Sequence, residues 1–203
     1  MKFLISVKKI DRIFQVAQEK AEIVKAKQEA ISQIEQAQKE ANDAIEKSGL
    51  SPEDQQKQKD QIKTIVEQAK TDINSVQQSE TEPKDQINGK RDQAVDKFSA
   101  IKDQAALAGQ KTKAEGILKD KQTKAHNIID QSQLTAKQKK AAKAAIDDAY
   151  QQSFQDIEKI TAISNIPDEA TIGQNIDRLL TKPETSTEPK WFNDEQKNAF
   201  AGG

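Results

Sequence analysis

The sequence predicts an all-α protein: two tandem antiparallel three-helix bundles that share a long connecting helix and form an elongated rod. Three observations predict it. Apolar residues recur at steps of three and four along most of the chain. Gly (7) and Pro (5) are scarce and fall mainly at apparent boundaries, whereas Ala, Lys, Glu and Gln, all good helix formers, dominate. Finally, residues 27–76 recur as 111–160 at an offset of 84 with no gap.

The first stripe is Phe3, Val7, Ile10, Phe14, Ala17, Ala21 and Val24, followed by Ile31, Ile34, Ala41 and Ile45, with a shift of the seam near Gln28. It predicts one helix over about residues 8–47, stopped at Ser48-Gly49, where Gly49 suits the left-handed position after a helix end. A second helix starts at once: Ser51 as N-cap, Pro52 in the first turn, Glu53 and Asp54 at the positive end of the dipole. Its stripe, Ile62 to Val76, predicts an end near Gln78.

Pro83 opens a third helix marked by Ile87, Ala94, Val95, Phe98, Ile101 and Ala105. Ala114, Ile117, Leu118, Ala125, Ile128 and Ile129 continue the stripe past Gly109 and Gly116, so one helix is expected from about 84 to 131. The turn at 132–135 carries Leu134 and a capping box formed by Thr135 and Gln138. Ala142, Ile146, Ala149, Tyr150, Ser153, Ile157 and Ile160 line the next helix, with Tyr150 and Phe154 expected against the last helix of their own bundle. Ile172, Ile176, Leu179 and Leu180 mark a short final helix.

The repeat pairs Ala30 with Ala114, Ile34 with Leu118, Ile45 with Ile129, Leu50 with Leu134, Ser51 with Thr135 and Ile73 with Ile157. These are stripe and turn positions, so a packing unit is repeated rather than a chemical site. The short turns force antiparallel neighbours. The structural residues singled out are Gly49, Leu50, Ser51, Pro52, Leu134 and Thr135, with both leucines plugging a bundle end. The divisions are 1–26, a leading helix; 27–110, the first repeat; 111–182, the second; and 183–203, a Pro/Thr/Glu linker and tail.

Composition excludes most chemistry. Cysteine is absent, so no disulfide or thiolate site exists. The lone imidazole, His126, lacks a second His or Cys to complete a metal site, and no metal or cofactor is expected. Asp147-Asp148 and Asp168-Glu169 are adjacent carboxylates, which do not share a helix face. Lys+Arg 32 against Asp+Glu 33 gives no basic field for nucleic acid, and the Lys-rich stretch Lys137 to Lys143 reads as a solvated face. Mean hydropathy is −0.88, with no run of apolar residues long enough to insert in a membrane. The apolar stretch 3–7 is cut off by Lys8 and Lys9, so no signal peptide is read.

The succession Ala125-to-Ile129, Leu134-Thr135, Ser153-to-Ile160 and Ile172-to-Leu180 resembles the tandem helical repeats of giant Gram-positive cell-wall adhesins of the extracellular-matrix-binding-protein type. That resemblance covers about residues 25–182. It implies a non-enzymatic spacer or stalk at the cell surface, within a longer exported protein. The tail, with Trp191, Phe192, Gln196, Asn198 and Phe200, is similar to the start of an immunoglobulin-binding domain of staphylococcal protein A, and makes these five the candidate partner-binding residues. Expected partners are neighbouring repeats and a host extracellular-matrix or serum protein. Two rival readings are a host-protein-binding module for albumin, fibronectin or immunoglobulin, and an intracellular coiled-coil scaffold, which would show unbroken heptads.

Overall fold

The computed structural model describes residues 2–180, with side chains from Val7 onward. Among the described residues every regular element is helical: α1 (Lys2–Glu46), α2 (Pro52–Ser75), α3 (Pro83–Gln131), α4 (Ala136–Glu158) and α5 (Gln174–Leu180), plus a single 3-10 turn at Ile163–Asn165. The helices pack on one another through thin apolar seams. No helix among the described residues is long and apolar enough to cross a membrane.

Local chemistry sets the boundaries. Gly49 takes φ 86°, the left-handed conformation that frees the chain from α1. Ser51 then accepts a hydrogen bond from the Asp54 backbone N–H at 3.1 Å, with Pro52 already in the first turn of α2. Helix α2 stops at Ser75, three residues before the expected Gln78, because Val76 turns extended (φ −60°, ψ 126°). Helix α1 begins six residues earlier than the apolar spacing predicts: residues 2–8 contain neither Gly nor Pro to break it. Helix α3 passes through Gly89, Gly109 and Gly116 without interruption.

The chain divides into two compact units, one ending at Ala106 and the other beginning at Leu107, inside α3. In the first, Ile34 and Ile45 of α1, Ile62 and Ile73 of α2, and Ile87 and Phe98 of α3 are fully or almost fully buried in one core. In the second, Leu118 and Ile129 of α3, Ile146 and Ile157 of α4, and Ile172 and Ile176 near or within α5 form the other. At roughly 25 cal/mol per Å² of apolar surface removed from water, such burial supplies the main stabilising term of each unit.

The stripe of α1 is only partly used. Among the described side chains burial begins at Ile23, and Val7, Ile10 and Phe14 are exposed, Phe14 by 71%. Tyr150 and Phe154 are half-buried against the second core. They stack on each other with ring centroids 6.1 Å apart, and Lys119 of α3 lies over the Tyr150 ring at 5.3 Å, a cation–π arrangement.

Candidate functional site

The residues that recur in three dimensions form a brace around each helix–turn–helix. At the turn, Ser48 Oγ donates to the Ile45 carbonyl at 2.6 Å, and Ser132 Oγ donates to the Ile129 carbonyl at 2.6 Å. Each hydroxyl oxygen accepts in return from a leucine backbone N–H, that of Leu50 at 3.3 Å and that of Leu134 at 3.5 Å. Leu50 and Leu134 are half-buried against their respective cores.

The next residue caps the following helix. Ser51 accepts from Asp54 N–H, as above, and Thr135 accepts from Gln138 N–H at 3.3 Å. The Gln138 side chain accepts from Thr135 N–H at 2.8 Å, completing a reciprocal box. Asp54 holds the place of Gln138 and accepts instead from Ser51 Oγ at 2.7 Å, which with the Lys57 ammonium lowers its pKa.

Beyond the turn an ion pair joins the two helices: Lys59 with Glu46 at 2.6 Å and Lys143 with Asp130 at 2.7 Å. Both carboxyls are held below the ordinary range, in each case first by the hydrogen bond from the lysine. At the opposite end of the hairpin, Lys27 Nζ donates to the Asn74 carbonyl at 2.8 Å, and Lys111 Nζ donates to the Glu158 carbonyl at 2.6 Å. Those carbonyls lie in the last turns of α2 and α4, where the helix dipole is negative and the final carbonyls lack helical partners. A lysine from the neighbouring helix therefore serves as the C-terminal cap. The serine staple, the N-cap bond, the interhelical ion pair and the lysine cap each have their counterpart 84 residues along.

Other polar groups are not repeated. In the second unit Lys119 donates to Gln122 at 2.8 Å, and Gln122, the buried polar residue of that seam, donates to Asp147 at 2.6 Å. His126 Nε2 lies 3.0 Å from Asp147 Oδ1, close enough for an ion pair but outside hydrogen-bond geometry. Asp148 follows along the chain, and no group of three or more His, Asp or Glu among the described residues could hold a metal ion. Glu115 on α3 meets Glu158 at the end of α4; burial first, then the hydrogen bond and charge of Glu158, raise the Glu115 pKa. Asp168 accepts from Thr171 Oγ1 at 2.6 Å and from Thr171 N–H at 2.8 Å, which lowers its pKa and fixes the turn before α5.

The sequence reading missed the lysine braces. In a chain this rich in Lys and Gln, exposed polar positions carry no periodic signal, and only matching the repeat partners Lys27/Lys111 and Lys59/Lys143 could have found them. It also missed Gly173. That residue sits at φ 70°, and a Cβ there would come within 3.0 Å of Lys121 Cδ and 3.1 Å of Leu118 Cδ1. The five tail candidates Trp191, Phe192, Gln196, Asn198 and Phe200 lie outside the described residues. Compared with known protein families, curated proteins and solved structures, the chain matches none.

Proposed function

We propose that the chain is a non-enzymatic structural spacer, a stalk segment of a bacterial cell-surface adhesin. In this reading residues 27–110 and 111–182 are two tandem antiparallel three-helix bundles that share a long connecting helix, and their succession would make an elongated rod. The observation that carries the reading is the duplication of the whole brace: turn, cap, ion pair and lysine C-cap recur at one fixed offset. Selection for a chemical site would repeat a cluster of reactive groups. Selection for a length module repeats what holds neighbouring helices in register.

The mechanism is mechanical. Each repeat needs only a stripe of Ala, Ile and Leu, so the rod stays narrow and its surface stays polar. The brace ties each hairpin at both ends, and tension along the chain meets cross-helix contacts distributed over the full seam. The cell-wall location and the neighbouring repeats as partners follow from the resemblance of residues 25–182 to adhesin repeats.

The test removes one period. Deleting residues 27–110 joins Ala26 to Lys111 in register. The shortened chain is expected to remain helical and, displayed between a wall anchor and a reporter head, to bring the head closer to the cell by one repeat. A chain that unfolds overturns the modular reading. Retention of albumin, fibronectin or immunoglobulin from serum by residues 1–182 replaces the spacer with a host-protein-binding module.

A further inference from the structure

The exposed apolar face at the start of α1 has the register of the third helix of a repeat. At the same offset of 84, Phe3 falls on Ile87, Ile10 on Ala94, Phe14 on Phe98, Ala17 on Ile101 and Ala21 on Ala105. Those five α3 positions are all buried in the core of the first unit. Their counterparts Ile10, Phe14, Ala17 and Ala21 are exposed. The sharpest contrast is between the two phenylalanines: Phe98 is 1% exposed and Phe14 is 71% exposed.

The point where burial begins is also in register. Among the described side chains of α1, Ile23 is the first that is buried, and it corresponds to Leu107, the first residue of the second unit. Helix α1 thus carries the same junction as α3: one stretch with a third-helix pattern, then one with a first-helix pattern.

We propose that residues 3–21 are the third helix of a further repeat unit, and that their apolar face takes as its partner a helix–turn–helix pair of this same repeat type, equivalent to residues 27–76, placed ahead of α1. The chemistry of the match favours this occupant. Ile10, Phe14, Ala17 and Ala21 fall on the seam positions that α3 presents to the α1–α2 pair with Ala94, Phe98, Ile101 and Ala105, and Phe14 and Ala21 match their counterparts in kind. Lys8, Lys9, Asp11, Arg12 and Glu19 interleave them, so the helix is amphipathic, and Ile13 and Val16 widen its exposed apolar side. Membrane insertion does not suit that charge density. A flat homodimeric contact does not account for Phe3, Ile10, Phe14, Ala17 and Ala21 all falling on buried α3 positions at the one repeat offset. The inference rests on the proposed repeat architecture and adds a specific partner to it.

The experiment appends a copy of residues 25–84 directly ahead of Met1, which preserves the offset. The full chain carries Phe14→Trp in a Trp191→Phe background, so that residue 14 is the single tryptophan, excited selectively over Tyr150. In the extended chain the emission of residue 14 is expected to move to shorter wavelength and to lose most of its quenching by acrylamide. Amide exchange over 7–21 should slow to the rate seen over 91–105. Ile34→Asp and Ile62→Asp within the appended copy should abolish both changes. If 91–105 is protected while residue 14 stays open to quencher in the extended chain, the repeat reading stands and this inference fails. It also fails if the unextended chain self-associates through this face, shown by a concentration-dependent dimer that Phe14→Asp abolishes.

Discussion

Lys111 and Glu158 stand 47 residues apart in sequence, and the Lys111 ammonium donates to the Glu158 carbonyl at 2.6 Å. Lys27 makes the same bond to Asn74 at 2.8 Å. One side chain thereby closes the end of a helix that it does not belong to. Removing the ammonium while keeping the stem isolates that role. Lys111→Met should lower the stability of the second unit by about 0.3–1 kcal/mol, the range for a cation at a helix C-terminus. Lys27→Met should do the same to the first, each read as unit-resolved amide exchange, and the effect should shrink at high salt.

Glycine substitutions should split in sign. Gly173→Ala forces a side chain into φ 70° and against Leu118 and Lys121, and is expected to cost about 1–3 kcal/mol, confined to the second unit. Gly116→Ala places a methyl on the interior of α3, where nothing lies within 4 Å, and should stabilise by up to about 1 kcal/mol. Denaturant midpoints of the two variants check both signs.

Core truncation should be local as well. Leu118 is fully buried in the second unit and Ile34 is its counterpart in the first. Leu118→Ala is expected to cost about 2–5 kcal/mol. Leu134→Asp puts a charge against the same core and should also loosen the second unit more than the first. Both are measured by exchange protection over 114–129 compared with 30–45.

The Glu115–Glu158 pair sets a pH dependence of defined sign. The Glu115 pKa is raised in the folded state, so that state binds its proton more tightly than the unfolded chain does. Its stabilising contribution is present below the ordinary glutamate value and is lost as pH rises through the higher folded value. Glu115→Gln should therefore flatten that decline and leave the second unit more stable at neutral pH, as read from unfolding midpoints across pH 4–8.

Glu46 and Asp130 act oppositely. Their folded pKa values are lowered by Lys59 and Lys143, so their contribution is present above the unfolded values and is lost as pH falls through the folded ones. Asp130→Asn should reduce the acid sensitivity of the second unit, and Glu46→Gln that of the first. Acid titrations followed by circular dichroism test this.

The helical class was legible because it is written in periodicity, and the starts of α2 and α4 because Ser51-Pro52 and Thr135 are chemically specific caps. The partner of a stripe was not legible. An apolar period reports that a helix has a face, not what covers it, so residues 7–21 and 31–45 read alike in sequence although only the second group meets a core. The placement of Tyr150 under Lys119 was hidden for a related reason: lysine stems on a Lys-rich surface give no signal of which ring they cover. Gly173 was unremarkable in sequence because its necessity comes from Lys121 and Leu118, more than fifty residues away.

The central claim is a narrow monomeric rod built from repeats, and small-angle X-ray scattering of the full chain tests it most directly. The account predicts a monomer with a maximum dimension of about 100 Å or more, the length that helices rising about 1.5 Å per residue would give in the proposed serial arrangement. A compact monomer with a near-spherical distance distribution, or an obligate long dimer, would contradict it.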